Sequence, residues 1–91
     1  MHTFVVERYL TGWESDEIDA LLARLDELRT CFERHDVQYV HSILMAGDET
    51  CWSIFEGRSA AAVLDANEIA DLPTHRVIAA VLSIPPVVGA A

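Results

Sequence analysis

Positive charge is scarce in this chain, with six basic residues against fifteen acidic ones and a formal net charge of −9. Nucleic acid is a poor partner for such a chain, because neutralising phosphates takes Lys and Arg. An anionic membrane surface is disfavoured for the same reason. Cysteine is nearly absent: Cys31 and Cys51 form no CxxC pair and no disulfide framework, which fits a reducing compartment. No apolar run approaches the roughly 20 residues of a membrane span. The opening MHTFVVERYL has neither the basic start nor the long apolar stretch of a secretory signal. A cytoplasmic location is therefore expected. Metal-specifying spacings such as HxH, HExxH or a Cys/His ribbon are missing, as are a nucleophilic triad and a Gly-rich phosphate loop.

What the chain has is apolar residues, 52% of its 91. A body this small buries only about two-thirds of its unfolded surface, so apolar surface should remain outside a monomeric core. A second subunit is the usual cover. One domain spanning residues 1–91 is expected, with no repeat, linker or low-complexity stretch.

Thr3 to Leu10 reads as a strand, with Phe4, Val6, Arg8 and Leu10 on one face and Val5, Glu7 and Tyr9 on the other. Ser15 suits an N-cap, and Ile18, Leu21, Leu22, Leu25, Leu28 and Phe32 recur at helical spacing to about Arg34. Val37 to Met45 and Thr50 to Glu56 read as strands joined by the turn Ala46-Gly47-Asp48-Glu49. In the first of these, strict alternation places Tyr39, His41 and Ile43 together, opposite Val40, Ser42 and Leu44. Ser59 can cap a second helix to about Ala70, ended by Leu72-Pro73. Arg76 to Ile84 reads as a last strand, stopped by Pro85-Pro86. The class is α+β, and the order βαββαβ is the ferredoxin-like pattern. Helices on one face of such a sheet leave the other open. Here Val77 to Leu82 is apolar on both sides of its strand, which predicts a partner sheet and a dimeric α+β barrel.

The candidate donors are His2, His35, His41, His75, Cys51, Glu7 and Glu56. Within them His41, Cys51, Glu56 and Glu7 fall on strands predicted to be adjacent. Imidazole, thiolate and carboxylate together suit a borderline divalent ion such as nickel, zinc or copper. Each has a plainer role: His41 as a hydrogen-bonded core histidine, Cys51 as a small hydrophobe, and Glu7 as the partner of an arginine such as Arg8 or Arg58. A second arrangement has Tyr39 and Trp52 shaping a pocket for a small aromatic ligand. In it Asn67 orients the ligand, and His41 or Glu7 acts as acid or base.

Val6-Glu7-Arg8-Tyr9, Val40-His41-Ser42, Cys51 to Phe55-Glu56, Ala62 to Asn67, and Leu72-Pro73 through Arg76-Val77 follow one another across nearly the whole chain. In order and spacing they resemble a family of small uncharacterised domains of about this length. That family includes an actinobacterial nickel-binding protein with a dimeric ferredoxin-like fold. The resemblance implies the same fold, a homodimer, and nickel or another divalent transition metal as ligand. His41, Cys51 and Glu56 stand at positions matching the family pattern. Other members can carry a histidine on the second helix, where this chain has Ala66-Asn67. A binding protein is thus favoured over an enzyme.

Overall fold

The computed structural model describes residues 1–81 and 83. Strand β1 spans His2–Tyr9, helix α1 Ser15–Glu27, helix α2 Arg29–Arg34 and strand β2 Gln38–Met45. Strand β3 spans Thr50–Gly57, helix α3 Ala60–Ile69 and strand β4 Arg76–Ala80. The four strands form one antiparallel sheet in the order β2-β3-β1-β4. The described residues form a small α+β domain of one such sheet and three α-helices.

The single helix expected up to Arg34 is divided at Leu28, where ψ relaxes to 0°. Glu14, rather than Ser15, caps its start, and the Glu17 side chain accepts from the Glu14 backbone N–H at 3.0 Å. Dividing the helix points Arg29 at the sheet. Its guanidinium donates to Asp26 at 2.7 Å and to the carbonyls of Tyr39 and Val40 at 2.6 and 3.4 Å. Those carbonyls belong to a bulge, because Tyr39 pairs with Phe55 while His41 pairs with Ile54. One extra residue shifts the parity of the strand. Tyr39 therefore faces the helices along with Ser42 and Leu44, while His41 and Ile43 face the other way. The alternation expected from the sequence, which put Tyr39 beside His41, is corrected by this bulge.

The helix-facing layer is the core. Phe4 and Val6 of β1, Cys51 and Phe55 of β3, and Tyr39 of β2 meet Leu21, Leu25, Phe32, Val63 and Ala66 from the helices. Phe32 sits at its centre, edge-on to Phe55 with ring centroids 5.0 Å apart. Gly57 ends β3 where α3 crosses closely; a Cβ there would meet a Val63 methyl at 3.0 Å. Ser59 caps α3, its hydroxyl accepting from the Ala62 N–H at 3.1 Å. The described part of β4 ends at Ala80. Leu82 and Ile84, expected to continue it, and Pro85-Pro86, expected to stop it, lie outside the described residues.

Candidate functional site

Strand geometry sorts the predicted donors before any distance is needed, since successive side chains point to opposite faces. On β3, Cys51, Ser53 and Phe55 face the helices, whereas Trp52, Ile54 and Glu56 face away. His41 pairs with Ile54 and shares its outward face. Cys51 pairs with Leu44 and is fully buried on the helix side. The structure therefore does not bring His41 and Cys51 together: the sheet lies between them. Glu7 points outward too, but it pairs with Trp52, whereas Glu56 pairs with Thr3. At 3.3 Å per residue this separates the two carboxylates by about 13 Å along the strands. Among the described residues no group of three or more His, Cys, Asp or Glu side chains could hold a metal ion.

Of the predicted donors, His41 and Glu56 share one concavity. Both line an apolar concavity of about 270 Å³ on the open face, with Val5, Val40, Ile43, Trp52 and Ile54. They occupy diagonal positions on neighbouring strands, with backbones about 7–8 Å apart. The concavity thus holds one imidazole and one carboxylate, and it opens to solvent.

The pocket expected from Tyr39, Trp52 and Asn67 is not formed. Tyr39 and Asn67 are buried on the helix side, and Trp52 stands on the opposite face, 38% exposed. The space between sheet and α3, where a ring compound would lie, is filled by Arg8. Its side chain is fully buried. Its Nε donates to Ser53 Oγ at 3.0 Å and its Nη2 to Asn67 Oδ1 at 2.7 Å. Nη1 donates to the Pro73 carbonyl at 3.0 Å and to Thr74 Oγ1 at 3.4 Å. Asn67 is itself fixed by donating to the Val63 carbonyl at 2.8 Å. From Ser53 the chain of hydroxyls continues to Ser42 at 2.9 Å and on to the Tyr39 hydroxyl at 2.6 Å. No carboxylate pairs with Arg8 among the described residues. Burial accordingly pushes its pKa down to about 10, against the opposing pull of Cys51 and Tyr39. The guanidinium is solvated by neutral oxygens, and no buried side-chain polar atom among the described residues lacks a partner.

Glu7 belongs to a second polar group that sequence reasoning did not assemble. The neighbouring Tyr9 hydroxyl is the main influence holding its carboxyl below the ordinary 4.5, opposed by desolvation and reinforced by Arg76. Arg76 Nε donates to Glu7 Oε1 at 3.3 Å, so the arginine partner is neither Arg8 nor Arg58. Glu7 in turn pushes the Tyr9 phenol up, and His75 stacks on the Tyr9 ring at 4.1 Å. A carboxyl lowered on folding stabilises the protein above its unfolded value, and that contribution is lost as pH falls through its folded value. We expect the stability difference between the wild type and Glu7→Gln to be largest near pH 7. It should shrink steadily below pH 4.5 in thermal melts followed down to pH 2.5. A constant difference across that range would assign the effect of the variant to packing instead.

An antiparallel four-stranded sheet with one helical face and one open face defines the class: a small α+β domain. Among solved structures, the crystal structure of SCO4226 from Streptomyces coelicolor A3(2) is similar to it. The TM-score is 0.69 over 90% of this chain and 99% of that one, with 22% sequence identity. At that identity the likeness is one of fold. No protein-family model matches the chain, and no curated protein does.

Proposed function

We propose that this chain is a small cytoplasmic protein that binds a divalent transition metal as a homodimer, with nickel the first candidate. In this reading the domain is a ferredoxin-like unit, and two units meet sheet to sheet as a dimeric α+β barrel. The observation that supports it is that His41 and Glu56 both line one apolar concavity of the open face. One chain offers too few ligands there for tight binding. A second copy across a two-fold axis doubles the set to two imidazoles and two carboxylates, a nitrogen and oxygen environment suited to nickel, zinc or copper. Cys51 and Glu7 have no part in it. Charge supports the same assembly: the exposed acids Asp16, Glu17, Asp19, Asp26, Glu27, Glu33, Asp65 and Glu68 ride on the helices, leaving the open face the one on which two copies repel least.

Nickel titration of untagged protein by calorimetry tests the reading. His41→Ala and Glu56→Gln should each weaken binding by at least about tenfold, or ~1.4 kcal/mol, whereas Cys51→Ser should leave it unchanged. No saturable binding by the wild type would sink the proposal. So would binding lost in Cys51→Ser but kept in His41→Ala.

A further inference from the structure

Placing a carboxylate on the apolar side of a sheet is costly unless something holds its charge. The Glu7 side chain is only 8% exposed, directly across the strand pair from Trp52. The metal reading gives it no role. Among the described residues its one ion-pair partner is the side chain of Arg76, itself 61% exposed and reaching Glu7 through Nε at 3.3 Å. Arg76 uses one of the roughly four acceptor positions of an ionised carboxylate, and the Tyr9 side chain is a further neighbour on the same face of the strand.

Around this group the surface forms a saddle of about 340 Å³, at the end of the sheet where β1 finishes and β3 begins. Trp52 and Tyr9 are diagonal neighbours there, 38% and 50% exposed, and Asp48 stands on the far rim. Aromatic faces and a carboxylate attract the same kind of guest, because a ring presents its negative face to a cation. The Arg76 guanidinium is such a guest, supplied by the chain itself on a long and mostly solvated arm. We infer that the saddle is a binding site for a small organic cation of the primary-ammonium class. The ammonium donates to Glu7, its alkyl stem lies on Trp52 and Tyr9, and Arg76 is the internal competitor that it displaces. A net charge of −9 raises the local concentration of such cations. The site includes neither His41 nor Glu56, although Trp52 lines both concavities, so binding is measured on chelator-treated protein at concentrations where the chain is monomeric.

The test uses full-length, chelator-treated protein and two probes, butylamine and tetramethylammonium. Binding is followed by Trp52 fluorescence in a Trp13→Phe background and by amide chemical shifts in the wild type. Butylamine should bind saturably and shift the amides around Glu7, Tyr9 and Trp52. Glu7→Gln should weaken it about tenfold, the loss of one charge-assisted hydrogen bond. Arg76→Ala should tighten it several-fold by removing the competitor, a result that a merely structural ion pair would not give. His41→Ala should have no effect. Absence of saturable binding would overturn the inference, as would a Glu7→Gln or Arg76→Ala variant that binds like the wild type. Tetramethylammonium binding as well as butylamine would overturn the assignment of a donating ammonium.

Discussion

Arg8→Ala should cost this domain about 3–5 kcal/mol, a large share of the stability of so small a domain. Two contributions add. Truncating a large buried side chain to alanine costs about 2–5 kcal/mol through lost packing and the cavity left behind. Each buried acceptor left without its donor adds about 1–3 kcal/mol, and Arg8 serves Ser53, Asn67, the Pro73 carbonyl and Thr74. Water entering the cavity recovers part of that, which keeps the total within the stated range. Domains of this size are stable by about 5–15 kcal/mol, so a shift of this size should lower the melting midpoint by well over 10 °C. Arg8→Lys should fall between the two, since an ammonium cannot span Ser53, Asn67 and the 73–74 turn at once. Urea unfolding followed by circular dichroism measures all three. An Arg8→Ala variant within 1 kcal/mol of the wild type would show that the hydrogen bonds around Arg8 are replaced by water at little cost.

Arg8 also shows how far the sequence could be read. Period-two reasoning along β1 places it on the face of Phe4, Val6 and Leu10, which is the core face in the structure. An arginine at a core position of a strand is a signal, and its partners Ser53 and Asn67 lie on elements that were legible too. What sequence does not carry is the register that lets three distant polar residues find one guanidinium. The same holds for the metal donors. His41, Glu56, Cys51 and Glu7 were placed on the right strands, but their grouping depended on the strand register, and a bulge after Tyr39 separated Tyr39 from His41. That bulge is held by Arg29 from a helix expected to be continuous. Local patterning identified elements and most faces; long-range hydrogen bonds decided which side chains meet. Glu7 escaped assembly for a related reason, since its partner Arg76 arrives from β4, at the far end of the chain.

Ile43→Glu should abolish the proposed dimer while leaving the fold of each copy intact. Ile43 is 45% exposed on the open face, paired with Trp52 and lining the same concavity as His41 and Glu56. In an isolated chain a glutamate there meets solvent and should change stability by no more than about 0.5 kcal/mol. In a sheet-to-sheet dimer the effect is different in kind. A two-fold axis presents each substitution twice, so two carboxylates enter an apolar interface that already contains both copies of Glu56. Desolvating each costs at least about 2 kcal/mol, which together weakens association by on the order of a thousandfold. Ile69→Glu is the control: Ile69 is 63% exposed at the end of α3, on the helical side, and its substitution should leave association unchanged. Sedimentation equilibrium on chelator-treated samples gives the dissociation constants, and thermal melts check the fold. A wild-type chain that stays monomeric at high concentration removes the homodimer altogether. A dimer untouched by Ile43→Glu but broken by Ile69→Glu would move the interface to the helical layer, and His41 and Glu56 would then lose the second copy that completes their coordination.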